Sequence, residues 1–134
     1  MGWQDYHLHE WQIGEDYYDE ESGEAEVILG DVAPADSSFR YTYDLGEGWE
    51  HLVEVVSIDP YDGTVPPVAV LDGARAAPPE DIGGPHGYEA LLAALANPED
   101  LDHQETVEAY GDFLDPEAFD RTETNRRLEV YWRQ

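Results

Sequence analysis

The run YTYDLGEGWEH at residues 41–51 predicts a β-hairpin. Phe39, Tyr41 and Tyr43 recur at every second position and therefore share one face of a strand, while the positions between and after them are polar: Arg40, Thr42 and Asp44. The glycines of the central GEG can adopt a positive φ without a Cβ clash, as a tight turn requires. β-Branched residues then resume in HLVEVVSI, so we expect a sheet centred on a Tyr41–Val56 hairpin.

Strand and helix patterns elsewhere predict an α+β fold. His7–Ile13 alternates as a strand does, and VAVLDGA at residues 68–74 predicts another short strand. Helical spacing begins at Pro85, and we expect Asn97 and Asp115 to be the N-caps of further helices before a helical tail. Because strands precede helices, the sequence indicates an antiparallel sheet built around a central hairpin and packed by C-terminal helices.

The charge of the chain is strongly one-sided. There are 32 Asp and Glu against six basic residues, all arginine, for a formal net charge of −26. Three explanations are open: adaptation to a salty cytoplasm, where a Debye length of about 3 Å at 1 M salt screens repulsion; mimicry of nucleic-acid phosphates by carboxylates; or an acidic cytosolic protein from a GC-rich genome. Direct binding to nucleic acid or to an anionic membrane is disfavoured.

Several classes of protein are excluded or disfavoured by what the chain contains. Cysteine is absent, which excludes disulfides, thiolate metal sites and a cysteine nucleophile. We find no signal-peptide pattern and no apolar run of membrane-spanning length, so a cytoplasmic location is expected. Four arginines cluster in the last predicted helix, and Glu123 and Glu129 lie among them, so charge pairing along a helix explains them better than a basic nucleic-acid patch does: Arg121, Arg126, Arg127 and Arg133.

Three histidines form one candidate metal site. His7 and His9 share a face of the first predicted strand, and His51 begins a strand of the hairpin, with Asp44 or Glu50 as a further carboxylate ligand. Zinc held by three protein ligands with an open position is a hydrolytic arrangement. The alternative is that these histidines are ordinary sheet residues on a solvated or hydrogen-bonded face.

Other candidate ligand-binding residues surround the hairpin turn and a long loop rich in glycine and proline. Trp49 is either the wall of a pocket or a side chain folded over the core. The amides of Gly83 and Gly84, which open a helix, would suit an anion, although nearby carboxylates would repel one. The alternative is a purely structural loop. The candidates on this loop and the segments beside it are Asp72, Arg75, Glu80, Asp81, His86 and Tyr88.

Several stretches together resemble the plasmid pRiA4b ORF-3-like family: MGWQDYHLHEW, YTYDLGEGWEH, LDGARAAPPEDIGGPHGYEALLAAL, FLDPEAFD and NRRL. The resemblance implies an α+β fold and an association with plasmids or mobile elements, and it brings no established biochemical function. It also implies one domain over residues 1–134 that begins after the family's N-terminal strand and helix, either because the domain is naturally shortened or because its true start lies upstream. Many members carry cysteines where this chain has Val70, Ala77 and Ile82, so a thiolate site of such members cannot operate here.

These observations favour a non-enzymatic binding or interaction protein, acidic through salt adaptation, whose partner is another protein or a second copy of itself. The first alternative is a metal-dependent hydrolytic enzyme with a divalent metal held by His7, His9 and His51. The second is an acidic DNA mimic that blocks a nucleic-acid-binding protein.

Overall fold

The computed structural model describes residues 2–63 and 68–132, with side chains described as far as residue 130. Four strands form one antiparallel sheet in the order β2-β1-β3-β4: β1 (His9–Ile13), β2 (Asp16–Tyr18), β3 (Ser37–Tyr43) and β4 (Trp49–Val55). A 3-10 turn at Glu24–Glu26 is followed by four helices: α1 (Leu29–Val32), α2 (Gly84–Ala96), α3 (His103–Tyr110) and α4 (Arg121–Trp132). The expected α+β class is confirmed.

The hairpin predicted around residues 41–51 is formed by β3 and β4. Tyr43 pairs with Trp49 and Tyr41 pairs with His51, so the intervening residues form the loop. Phe39 and Tyr43 are 4% and 2% exposed, whereas Arg40 lies on the solvent face of the same strand. The alternation of aromatic and polar residues therefore separates the core face of β3 from its solvent face, as the period of two requires.

β1 extends the core face on the other side of β3. Trp11 pairs with Tyr41, and their rings lie 4.5 Å apart between centroids. The Trp11 ring also lies 5.8 Å from that of Phe39. Cross-strand aromatic contacts of this kind stabilise an antiparallel sheet beyond the area they bury. The predicted strand over His7–Ile13 is confirmed, with its regular pairing beginning at His9.

The described residues cluster into two compact units. One comprises Gln4–Asp59 and Glu80–Tyr88, and it contains the whole sheet, α1 and the first residues of α2. The other comprises the remaining described residues, including α3 and α4.

The strand expected at residues 68–74 does not form, although the structure describes this segment. Asn125 of α4 instead hydrogen-bonds to the backbone of this segment at Val70. The Asn125 Oδ1 accepts a hydrogen bond from the Val70 N–H at 2.7 Å, and its Nδ2 donates to the Val70 carbonyl at 2.9 Å. A side-chain amide presents the same donor and acceptor as a neighbouring strand, which explains why the strand-like sequence is satisfied without a sheet.

Two expected helix starts are wrong. Asn97 and Asp115 each accept a hydrogen bond from the N–H two residues later, and each closes a turn rather than a helix. α3 begins at His103, and α4 begins after Asp120, whose side chain accepts from the Glu123 N–H at 2.9 Å. Among the described residues, no helix is long and apolar enough to cross a membrane.

Two arginines of α4, Arg126 and Arg127, are paired with an acidic residue of the same helix. Arg126 donates two hydrogen bonds to the Glu123 carboxylate, at 2.7 and 2.8 Å, and Arg127 donates one at 2.9 Å. These hydrogen bonds lower the pKa of Glu123 to about 2. The interpretation as helix charge pairs is confirmed for Arg126 and Arg127. Arg121 instead donates to the Leu71 carbonyl at 3.2 Å, and Arg133 lies outside the described residues.

We predict that Asn125→Ala destabilises the protein by about 1–3 kcal/mol, because it leaves the half-buried N–H and carbonyl of Val70 without partners. The free energy of unfolding in urea measures this. Gln104→Ala, which removes an exposed amide bonded only to Glu108, is the control and is expected to cost less than about 0.5 kcal/mol. Equal effects of the two variants would contradict the proposed role of Asn125.

Candidate metal centre

The sheet register brings His7 to the hairpin loop. One backbone hydrogen bond joins the chain segments beyond the ends of β1 and β3, from the Leu45 N–H to the Leu8 carbonyl at 3.3 Å, and it is shifted by one residue from the register of the ladder. His7 therefore lies beside Asp44, the first residue after β3. Its Nε2 is 3.7 Å from the Asp44 Oδ2.

Asp44 is a buried carboxylate that organises the hairpin loop. It was expected on the polar face of β3, but it lies past the strand end, adopts a φ of 53° and is 7% exposed. Its Oδ1 accepts hydrogen bonds from the N–H groups of Gly46 and Glu47, at 3.0 and 3.1 Å. Asp tolerates the left-handed region because its short side chain can bond locally in this way. With Oδ1 occupied by the loop, Oδ2 is directed at His7.

A second loop reaches the same place through Glu47. The Glu47 Oε1 accepts a hydrogen bond from the Gly83 N–H at 2.6 Å, directly before α2. The next residue, Gly84, has a φ of 69°, and a Cβ there would collide with the Glu47 carbonyl oxygen. The Glu47 carboxylate is therefore the anion that this loop binds, where the sequence predicted an external one. This contact holds residues 80–83 next to the hairpin loop.

Glu80 is held by two donors on one oxygen. Its Oε1 accepts from the Gln4 N–H at 2.6 Å and from the Tyr43 hydroxyl at 3.2 Å. Its Oε2 is 3.5 Å from the same hydroxyl and 3.9 Å from the His7 Nε2. Burial, and then the hydrogen bond to Glu80, raise the pKa of Tyr43. The Tyr43 hydroxyl therefore stays a donor to this carboxylate.

Asp81 also has one carboxylate oxygen held by a tyrosine hydroxyl and the other near the His7 Nε2, but its side chain is exposed. It has a φ of 56°, its Oδ2 accepts a hydrogen bond from the Tyr6 hydroxyl at 2.6 Å, and its Oδ1 lies 3.1 Å from the His7 Nε2. The hydrogen bond to Asp81 raises the pKa of Tyr6 to about 12. Asp81 is the most accessible carboxylate of the group, with a side chain that is 63% exposed.

These residues form a cluster in which three carboxylates face one imidazole. Ligand atoms of His7, Asp44 and Asp81 all lie within 4.8 Å of one another. Each of the three carboxylates, Glu80 included, has one oxygen held by neutral donors at 3.2 Å or less, and its other oxygen lies 3.1–3.9 Å from the His7 Nε2. Such hydrogen bonds to the outer oxygens fix the orientation of carboxylate ligands in metal sites.

His7 Nε2 lies at the centre of this cluster without a hydrogen bond. The atom is buried, and the nearest oxygen, Asp81 Oδ1 at 3.1 Å, lies off the direction in which an N–H would point. Even a protonated imidazole would leave three carboxylates with a net charge of −2 in a largely buried place. The arrangement therefore favours a bound cation, which would accept the Nε2 lone pair and neutralise the carboxylates together.

The three histidines predicted as one metal site are not brought together. β3 lies between β1 and β4, so His9 and His51 are two strand spacings apart, about 9–10 Å, and Tyr41 fills the space between their rings. His9 donates from Nε2 to Glu24 at 2.7 Å, and His51 Nδ1 is 3.1 Å from the Tyr41 carbonyl oxygen. In the part of the chain that the structure describes, only His7 of the three joins a potential metal-ligand group.

The other hairpin candidates have local partners. The Trp49 indole N–H donates to the Glu47 Oε2 at 2.9 Å, and its ring packs edge-on against Tyr88 at 6.3 Å. Glu50 is exposed on the opposite face of the sheet, and its Oε1 lies 3.7 Å from the Arg40 Nε. Trp49 is half-buried, as expected for a side chain folded over the core.

The remaining loop candidates do not join the cluster. Asp72 accepts a hydrogen bond from the Gly73 N–H at 2.8 Å. Arg75 adopts a φ of 68° and its Nε lies 3.5 Å from the Glu117 Oε2. His86 is exposed in the first turn of α2.

Sequence reasoning missed the donors that orient the carboxylates: the hydroxyls of Tyr6 and Tyr43 and the N–H of Gln4. No local pattern marks these donors, because their partners are about 40 to 75 residues away. The sequence does contain one signal for the orientation of a carboxylate, at Asp44. An Asp two residues before a glycine in a hairpin loop favours an Asx turn, which directs one carboxylate oxygen back to the loop.

The fold and this site define a small α+β protein with a four-stranded antiparallel sheet and a candidate His–carboxylate metal centre at its hairpin loop. The chain belongs to the plasmid pRiA4b ORF-3-like protein family, whose model matches residues 1–123. It is similar to the uncharacterized protein y4hQ of Sinorhizobium fredii, with 38% identity over 121 residues that cover 83% of this chain. The matched region spans 62% of the length of that curated relative.

A solved structure shares this fold. The crystal structure of MM3350, a protein of unknown function from Methanosarcina mazei Go1, matches with a TM-score of 0.72 at 30% sequence identity. The match covers 92% of this chain and 75% of that protein. Neither relative carries an established activity in its description, so the function must be argued from the site itself.

We predict that Asp44→Ala destabilises the metal-free protein by about 1–3 kcal/mol beyond Asp36→Ala, because it removes the acceptor for two loop N–H groups. Asp36 is a matched control, since it also has a positive φ, of 63°, and it is exposed. Asp44→Asn keeps the acceptor and tolerates this φ, so it should cost less than about 1 kcal/mol. Urea unfolding in the presence of a chelator measures all three, and equal losses for both alanine variants would contradict the loop-closing role.

Proposed function

We propose that this protein binds one divalent transition-metal ion through His7, Asp44 and Asp81. The observation that carries the proposal is the buried Nε2 of His7, which has no hydrogen bond and is faced by a carboxylate oxygen from each side. Glu80, whose Oε2 is 3.9 Å from the same nitrogen, is within reach as a fourth ligand or through a bound water.

The separations of the donor atoms support a metal of ordinary size. Two ligands about 2.0–2.1 Å from a tetrahedral ion lie about 3.3 Å from each other. The His7 Nε2 is 3.1 Å from the Asp81 oxygen and 3.7 Å from the Asp44 oxygen, which bracket that value. The Asp44 and Asp81 oxygens lie within 4.8 Å of each other, so movement of these side chains towards the ion would complete the geometry.

The donor chemistry narrows the choice of ion. Imidazole suits zinc, iron, nickel and copper, whereas carboxylate and water suit manganese, magnesium and calcium. One imidazole with two or three carboxylates therefore favours Zn²⁺ or Mn²⁺ over Mg²⁺ or Ca²⁺. The absence of cysteine is consistent with a set of imidazole and carboxylate ligands, because no soft thiolate is available.

A simpler explanation is that a protonated His7 bridges the carboxylates without any metal. That role requires an N–H directed at an acceptor, and the buried Nε2 meets this condition with none of the three carboxylates. Metal binding is therefore the better account of the geometry.

Titration calorimetry with ZnCl₂ and with MnCl₂, on chelator-treated protein without a histidine tag, tests the proposal. We expect one ion per chain, with affinity reduced at least about tenfold in His7→Ala and in Asp81→Asn. These variants leave the loop contacts of Asp44 intact. The titration is run at about 1 M KCl, so that loose binding of divalent ions to the acidic surface is screened.

The matched controls are His86→Ala and Asp112→Asn, which remove an exposed imidazole and an exposed carboxylate outside the cluster. They are expected to bind as the wild type does. Several weak sites, or the same affinity in His7→Ala as in His86→Ala, would sink the proposal.

Metal-dependent hydrolysis is the second candidate function. The observation that favours it is that the proposed ligands are few and that Asp81 is exposed, so positions on the ion are open to water and substrate. Hydrolysis is tested, beside the titrations, by measuring the release of nitrophenol from p-nitrophenyl phosphate and from p-nitrophenyl acetate. Turnover that follows metal occupancy and disappears in His7→Ala would support hydrolysis, and none in the loaded wild type would leave a metal-binding protein that is not an esterase or phosphatase.

The function favoured by the sequence, non-enzymatic binding to a protein partner or to a second copy, fits this proposal if the ion orders the hairpin loop and the loop after residue 80 for recognition. An association with plasmids or mobile elements is proposed from the family alone. Light scattering with and without Zn²⁺ tests self-association. An unchanged mass would direct the search to a different protein.

We further propose that the net charge of −26 is an adaptation to high salt. The prediction is that the urea midpoint rises as KCl increases from about 0.1 M to about 1 M, because the Debye length falls from about 10 Å to about 3 Å and screens the repulsion. A midpoint that stays constant or falls would contradict it. A nucleic-acid mimic instead predicts binding to a basic partner that weakens over the same range.

A further inference from the structure

A cavity of about 240 Å³ lies beside the sheet, apart from the cluster around His7. Its walls are largely apolar and come from β1, β2 and the segment through α1: Trp11, Ile13, Tyr18, Val27, Leu29 and Val32. Its volume is below the roughly 300–1,000 Å³ of pockets for drug-sized ligands, so it suits a small molecule.

One charged residue, Glu24, forms part of this wall. Its Oε1 accepts a hydrogen bond from the His9 Nε2 at 2.7 Å, since a carboxylate can only accept. Its other oxygen, Oε2, is buried and has no hydrogen-bond partner, and the same is true of the His9 Nδ1. A buried acceptor without a partner is costly, and native proteins rarely keep one without a reason.

We propose that this cavity binds a small organic cation: a protonated amine with an apolar body, whose ammonium group pairs with the Glu24 carboxylate at the cavity wall. The apolar walls would hold the body. Trp11 and Tyr18 add aromatic rings, which attract a cation through their faces. The site requires neither a metal nor His7.

The charge of the ligand follows from its surroundings. An anion would meet the Glu24 carboxylate at the wall and a chain of net charge −26 around it. A neutral apolar molecule would place no positive charge beside the Glu24 carboxylate. A cation supplies a charge-assisted donor to that carboxylate and is drawn to the protein as a whole.

Benzylamine, benzyl alcohol and benzoate form a matched series of probes, because they share a ring and differ in charge. Binding is followed by amide and indole chemical shifts in the intact protein, where Trp11, Val27 and Leu29 should shift together. We expect benzylamine to bind at least about tenfold more tightly than benzyl alcohol, and benzoate not to bind.

Glu24→Gln should weaken benzylamine binding at least about tenfold. Glu26→Gln should not, although it changes the net charge equally, because Glu26 is exposed and is not part of the cavity wall. His7→Ala should also leave binding unchanged, which separates this site from the metal centre. Equal binding of the alcohol and the amine, or shifts spread over the acidic surface, would overturn the proposal. The comparison of the three probes on the wild type stands even if Glu24→Gln fails to fold.

Discussion

The buried carboxylate of Asp44 is the group on which both the hairpin loop and the candidate site depend. One oxygen accepts two loop N–H groups, and the other faces the His7 Nε2 at 3.7 Å. Because a single side chain closes the loop and presents a ligand atom, the shape of the turn sets the geometry of the site. A loop of another type would turn this carboxylate to solvent, and the inward oxygen would be lost with it.

The loop reaches beyond the hairpin through its next acidic residue. Glu47 binds the Gly83 N–H with one carboxylate oxygen and the Trp49 indole with the other. It therefore ties the start of α2 to the hairpin and keeps Glu80 and Asp81 within 4 Å of the His7 Nε2. The lack of a side chain at Gly84 permits this close approach. An internal anion thus occupies the helix start that would otherwise attract a phosphate.

Local patterns predicted the hairpin and the helical character of the last third of the chain, but they misplaced the helix starts at Asn97 and Asp115 and did not predict the site. Alternation at Tyr41 and Tyr43 is a short-range property, and it correctly separated the core face from the solvent face. The grouping of His9 with His51 used the same periodicity, but periodicity gives the face of a strand and not the order of strands, and β3 separates the two. Asn97 shows another limit, because the same side-chain signal closes a turn or begins a helix.

The arrangement of three carboxylates around His7 argues against a purely structural role for this cluster. In a chain of net charge −26, gathering carboxylates around one imidazole is unfavourable unless something compensates for it. Tyr6, Tyr43 and the loop amides satisfy the outer oxygens, so the protein has donors available for this purpose. The Tyr43 hydroxyl reaches the inner Glu80 Oε2 only at 3.5 Å, and no hydrogen bond reaches the His7 Nε2. Donors that orient ligands while leaving the centre open are what a metal site requires, because the ion itself completes the set.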